Sequence, residues 1–350
     1  MARKSLKDLS WQVTEEEYRK DPALSYSMLS KYERGGRFDS LPTLYDSVST
    51  PSLTFGSMVD SMLLGELGEF DSRFVVAELP GMSDALREIA EQLFTDYWAI
   101  SFDDIPDNAL ATIGASKGYY AADKYKNYRI KQIRENCKDY FNLRKVSMEK
   151  ELVSSKDYED ARACVYAIKN TPEIAKFFIK NPFNDDVEVF HQLKFKATLD
   201  GVPYRCMMDS CVVDHKNKII YPVDLKTSSK PEWQFYKSFV EWRYDIQACL
   251  YARLLRETIA KDDFYKDYKV ADYTFIVVNR KTLKPLKWTF PFTMSESGWK
   301  YTTPWKSEIE YRSPYEIGKE LMHYLQYSQE VPVDIDKDGL NNIVKFLEKR

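Results

Sequence analysis

The sequence predicts a mixed α/β fold: a central mixed β-sheet with an antiparallel meander, flanked by helices and preceded by a large helical N-terminal part. Three observations predict it. The strand-like runs VEVFHQLKFKATL and VPYRCMMDSCVVD meet at Asp200-Gly201, a dipeptide favoured in two-residue hairpin turns. A third run, KIIYPVDLKTS, follows the tight connection Asp214-His215-Lys216-Asn217. Apolar residues recur at helical spacing over much of residues 83–180, as at Leu86, Ile89, Ala90 and Leu93.

Taken in order, residues 1–24 are polar and read as an extended lead-in. Ser25 is placed to cap a short helix carrying Tyr26, Met28, Leu29 and Tyr32, ended by Gly35-Gly36. A loop rich in Ser, Thr and Pro follows, and then LTFGSMVDSMLLGE, a compact helix closed by Gly65. Residues 83–180 read as a mainly helical insertion, with Thr171-Pro172 starting one of its helices. The sheet and its main helix are expected over 185–292: the meander, a helical stretch at 232–260, and strands near 270–279 and 286–292. Residues 293–350 read as C-terminal helices, near 315–327 and 340–349. No repeat, low-complexity tract or linker divides the chain, so one domain over residues 1–350 is expected.

Composition limits the function classes. Hydrophobic residues at 44% supply ample apolar surface for a core in a chain of 350 residues. A net charge of -3 argues against a protein that coats nucleic acid, but allows a local basic groove. The 25 tyrosines are expected mainly to fill the core and its rim, although aromatic rings also stack on bases. Five cysteines with no CxxC pair argue against a disulfide framework or a zinc site. The N-terminus lacks the apolar segment of a signal peptide, and no run approaches the ~18 apolar residues of a membrane span, so a cytoplasmic protein is expected. There is no GxxxxGK[ST] or GxGxxG loop and no HExxH, which removes nucleotide-driven and zincin chemistry.

The informative stretch runs from Asp209 to Lys226. Antiparallel pairing about His215–Lys216 sets Asp209 opposite Pro222 to Asp224, so two carboxylates could reach one cation. Asp224 and Lys226, two apart on one strand, share a face, while Leu225 takes the other. Phosphodiester hydrolysis suits this set. Mg²⁺ or Mn²⁺ needs only two or three carboxylates because it keeps several waters, and an ammonium beside it can orient water or meet developing charge.

Here the sequence resembles a known family. PVDLKTS, with Pro222, Asp224 and Lys226, resembles the signature strand of the PD-(D/E)xK nuclease superfamily, and RCMMDSCVV resembles the metal-binding strand before it, with Asp209 at the acidic position. QACLY places Gln247 and Tyr251 as in the QxxxY motif of the RecB-type branch. LSYSMLSKYERG followed by LTFGSMVDSMLLGE is similar to the opening of phage and prophage exodeoxyribonuclease VIII (RecE-like) nuclease domains. The likeness spans about residues 24–255.

The resemblance implies a restriction-endonuclease-like core and a Mg²⁺-dependent exodeoxyribonuclease acting on DNA in recombination or processing. It implies Asp209 and Asp224 as metal ligands, Lys226 as the group beside the water, and Gln247 and Tyr251 as its supports. A single-strand annealing protein as partner, a homo-oligomer, and a bacterial host cytoplasm are implied as well. Where the family presents a His toward the metal, Asp60 stands here. Lambda-type exonucleases use an acidic residue on that helix, so Asp60 is expected as a further ligand; the alternative is weakened activity in a protein that binds DNA without turnover. The four-cysteine iron–sulfur cluster of some RecB-type nucleases is not expected, since no cysteine follows Cys249. Lys194, Lys196, Arg205, Lys230, Lys237 and Arg243 are candidates to line a phosphate groove, with a solvated face of mixed charge as the equal alternative. Glu188, counted from the Asp200-Gly201 turn, falls opposite Val213 and so ranks below the other carboxylates.

Overall fold

A computed structural model describes residues 3–46, 50–147, 149–302 and 307–330. The chain forms two compact units, Met1–Leu64 with Ala163–Arg350, and Gly65–Arg162. No compositional linker marks either boundary, which is why the sequence reads as one domain.

The first unit is built on a six-stranded sheet. Its strands are β1 (Val187–Leu199), β2 (Val202–Asp214), β3 (Ile219–Ser228), β4 (Lys269–Val270), β5 (Tyr273–Asn279) and β6 (Leu286–Phe290), in the order β1-β2-β3-β5-β6, with β4 also on β3. β1, β2 and β3 form the expected antiparallel meander. Asp200 and Gly201, both at positive φ, make the first turn. β3 then pairs parallel with both β4 and β5, so the sheet is mixed and the fold class is the one expected.

Four helices of this unit matter for the site: α1 (Tyr26–Arg34), α2 (Pro51–Leu63), α3 (Phe235–Glu241) and α4 (Tyr244–Ile259). α4 lies in the crossover between the parallel strands β3 and β5. It buries Ile246, Leu250, Leu254 and Leu255 in one core with Cys206 and Met208 of β2, Ile220 of β3 and Phe275 of β5. α2 packs on β3, with Gly56 facing Thr227.

Four expectations need correction. The lead-in is not extended: Leu6–Leu9 is a 3-10 helix, and Glu15–Lys20 is an α-helix started by a capping box between Thr14 and Glu17. Fully buried Leu6 and Leu24 anchor it, and these few apolar residues are lost in a polar average. The stretch 232–260 is not one helix. Arg243 takes the left-handed conformation (φ 55) between α3 and α4. The strand near 270–279 is split into β4 and β5. Finally, 293–330 is not all helical. Trp299–Thr302 pairs antiparallel with Glu308–Tyr311 before the helix Pro314–Glu330, in keeping with the alternation of Glu308-Ile309-Glu310-Tyr311. The helix expected at 340–349 lies outside the described residues.

The second unit packs the helices Asp84–Tyr97, Asp107–Ser116 and Lys126–Ser147 around Ile89, Leu93, Phe102, Ile133 and Phe141. A two-stranded parallel ribbon, Phe74–Ala77 with Glu151–Ser154, completes it.

Candidate active site

Asp224 lies near the middle of β3, paired with Phe275 of β5 and one residue past the last β2 pair at Val223, and is 2% exposed. A carboxylate there is costly unless partnered. It has two partners. Gln247 Nε2, from α4, donates to its Oδ1 at 2.5 Å, and Lys226 Nζ lies 2.5 Å from its Oδ2. Burial alone would lower the Lys226 ammonium, but the charge of Asp224 beside it, with smaller contributions from Tyr244 and Asp209, holds it above its usual value.

Asp209 arrives from β2. The ladder pairs Ser210 with Val223, so Asp209 falls across from Asp224, and its Oδ2 accepts from the backbone N–H of Leu225 at 2.7 Å. Burial raises the Asp209 carboxyl well above the ordinary range, and the charges of Asp224 and Asp60 raise it further. Lys226 and the Leu225 N–H oppose this without prevailing. The strand is irregular at this point. Val202, Tyr204, Cys206 and Met208 enter the main core, and beyond Asp209 it is Cys211 and Val213 that do so. On β1 the facing residue, Gln192, has φ 51, and the Gln192–Asp209 pair drops out of the ladder. Simple alternation along β2 does not foresee this break, which leaves Met208 and Asp209 adjacent on the core side.

Asp60 is on α2, partly buried, and close enough for its charge to act on Asp209. Asp209, Asp224 and Asp60 are thus the carboxylates from which a cation could draw oxygen ligands. Among the described residues, no three His, Cys, Asp or Glu side chains converge into a ready-made cage. The reason is visible at Asp224, whose oxygens are turned to Gln247 and Lys226. The three carboxyl groups still bring acidic oxygens into one region, and Gln247 Oε1 is buried there without a hydrogen-bond partner. Such a set fits a hard ion that keeps part of its water better than one needing a full protein cage.

Tyr251 is buried on α4 with its ring 6.2 Å from that of Tyr273, and burial raises its phenol well above its usual value. Gln247, not Tyr251, makes the direct contact with Asp224. Glu188 pairs with Val213 as counted, and its Oε2 meets His215 Nε2 at 2.7 Å, away from Asp209. Two of the candidate groove cations are spoken for inside the fold. Arg205 is buried, donating to Ala23 O at 2.9 Å and lying over the Tyr18 ring. Arg243 is buried in a two-pronged pair with Asp245, at 3.0 and 3.1 Å. Lys194 and Lys196 are taken by Val13 O and Asp21. Lys230 is partly exposed and paired with Glu241 at 3.0 Å, and Lys237 is exposed beside Tyr236.

The sequence reading missed Tyr244 and the role of Tyr26. Tyr244 puts its ring 4.7 Å from Lys226 Nζ, and Tyr26 lies against Tyr244, ring to ring at 6.1 Å, with its hydroxyl donating to Trp242 O. A signal existed: Tyr244, Gln247 and Tyr251 recur at spacings of three and four on one helical face.

No known protein family matches this chain, and no curated protein does. A solved structure from Eubacterium rectale, described as a "putative exonuclease", is similar over 91% of this chain and 85% of that one, at 13% identity and a TM-score of 0.40. That likeness is too slight to assign an activity. Among the described residues, no helix is long and apolar enough to cross a membrane.

Proposed function

We propose that this chain is a divalent-cation-dependent deoxyribonuclease, an exodeoxyribonuclease of RecE-like type that hydrolyses phosphodiester bonds in DNA. The observation that carries the reading is Asp224 fixed between Lys226 and Gln247, with Asp209 facing it from the next strand. Asp209 and Asp224, with Asp60 as a further carboxylate, would hold Mg²⁺ or Mn²⁺. When bound, such an ion neutralises phosphate charge and makes a water more acidic.

The rest falls to the chain's own groups. Lys226, its ammonium favoured by Asp224 beside it, would position or activate the attacking water and meet charge developing on the phosphoryl oxygens. Gln247 fixes the rotamer of Asp224, and Tyr244, backed by Tyr26, walls the ammonium. Tyr251 supports from the same helix. A role in recombination beside a single-strand annealing protein, assembly as a homo-oligomer, and a bacterial cytoplasmic setting belong to the same proposal.

A second reading is a DNA-binding protein that keeps this frame without turnover. It is favoured by Asp60 standing where the resembled family has His, and by the absence of a three-ligand cage among the described residues. Linear duplex DNA incubated with Mg²⁺ or Mn²⁺ separates the two. Degradation by the wild type and none by Asp224→Ala supports hydrolysis. Intact DNA with the wild type at either metal leaves the second reading.

A further inference from the structure

The unit Gly65–Arg162 carries a surface for which the hydrolytic site has no use. From the end of the helix Asp107–Ser116 into the first turn of Lys126–Ser147 the chain reads KGYYAADKYKNY over residues 117–128. Tyr120, Tyr125 and Tyr128 are 43%, 41% and 46% exposed. They form one group: the Tyr120 ring lies 5.8 Å from that of Tyr125 and 4.9 Å from that of Tyr128. Lys117, Lys124 and Lys126 are exposed among them, with Asp123 the one acid of the segment. Lys124 Nζ sits 5.0 Å over the Tyr125 ring.

The central residue is held in an unfavourable backbone conformation. Tyr120 has φ 45, the left-handed region that a bulky residue avoids. Its carbonyl is pinned by Arg129, a buried guanidinium that also donates from Nε to Ala111 O at 2.9 Å. Gly114 makes room for that arginine, since a Cβ there would lie 2.8 Å from Arg129 Cδ. Arg129, with Gly114 beneath it, thus fixes the backbone that carries Tyr120.

We propose that this surface binds single-stranded nucleic acid, with bases stacked on Tyr120, Tyr125 and Tyr128 and phosphates on Lys117, Lys124 and Lys126. Exposed ring faces demand bases whose own faces are open, which a duplex conceals, and interleaved lysines match the backbone that connects them. The surface stands independently of the hydrolytic reading.

Binding of the full chain to a labelled single-stranded oligothymidine, followed by anisotropy in chelator so that no strand is cut, tests it. Tyr120→Ala weakens binding roughly tenfold, and Tyr120→Phe restores it. Replacing Lys124 and Lys126 by glutamine lowers the salt slope by about 0.7 for each phosphate that then goes unneutralised. Tyr120→Gly separates fold from function, because it relieves the positive φ and keeps or raises the melting temperature while binding is still lost. An abasic oligomer binds the wild type as weakly as oligothymidine binds Tyr120→Ala. The proposal is overturned if the wild type does not bind, if folded Tyr120→Ala and Tyr120→Gly bind like it, or if the substitutions alter self-association and leave anisotropy unmoved. A chain that binds in this way yet never degrades DNA sustains this surface and removes only the nuclease reading.

Discussion

Asp209 accepts a hydrogen bond from the backbone N–H of Leu225, one residue beyond the carboxylate it faces. A side chain of one strand thus fills a ladder position of the next and fixes the spacing of the two aspartates. The same bond leaves Asp209 buried beside like charge, with its carboxyl raised well above the ordinary range by burial and by Asp224 and Asp60. A raised carboxyl gives stability that is complete below its unfolded value and is lost as pH rises through its folded value. In metal-free buffer, Asp209→Asn, which keeps the acceptor, should therefore melt above the wild type at neutral pH and lose that advantage at acid pH. Added Mg²⁺ should stabilise the wild type but not the variant. Thermal melts across pH check this, and a variant melting lower at neutral pH counts against it.

Gln247→Ala removes the donor that holds Asp224 Oδ1. Groups that orient a ligand carboxylate typically matter ~10–100-fold in metal affinity or activity. Hydrolysis should fall within that range with secondary structure intact by circular dichroism; unchanged Mg²⁺ dependence would remove Gln247 from the site.

The ring of Tyr244 lies 4.7 Å from Lys226 Nζ. An ammonium over an aromatic face gains about 0.5–2 kcal/mol, so Tyr244→Leu should lower kcat by roughly 2–30-fold with little change in KM. Tyr244→Phe, which keeps the face, should restore most of it. Equal loss in both variants would mean that the hydroxyl matters instead.

Arg243 and Asp245 form a buried pair at the junction of α3 and α4. Breaking such a pair costs about 3–5 kcal/mol, so Asp245→Ala should be strongly destabilised in denaturant melts. A purely structural Arg243 also predicts that no salt slope of DNA binding depends on it, in contrast to a groove cation.

All five cysteines are buried and unpaired with one another. Burial pushes Cys137 and Cys249 up to about 12, so thiolate is scarce near neutrality. A thiol reagent at pH 8 should label none of the five in the native chain and all of them after unfolding; fast native labelling would show an opening that the fold does not provide.

The register of the meander was legible because turn chemistry fixes it. Asp200-Gly201 predicts the pairing of Glu188 with Val213, and the second turn sets Asp209 opposite Pro222 to Asp224, beside the observed Ser210–Val223 pair. Asp224 and Lys226 share a face for the same reason. The kink at Gln192 and Asp209 was not legible, because left-handed backbone at a glutamine is imposed by its surroundings rather than by local preference. Arg205 and Arg243 read as groove cations because charge in a sequence carries no sign of burial. Their partners, Ala23 and Asp245, become visible only once the chain is folded. The boundaries of the second unit were hidden too, since Leu64–Gly65 and Arg162–Ala163 differ little in composition from their surroundings.

β3 has a hydrogen-bonded neighbour along each edge, and the strand is the carrier of both Asp224 and Lys226. Where both ladders are present, its amides exchange with deuterium only when the sheet itself opens. Ile219, Ile220 and Val223, the positions paired on both sides, should then belong to the last protons the molecule surrenders, with Asp224 to Lys226 held by the β5 ladder on one edge only.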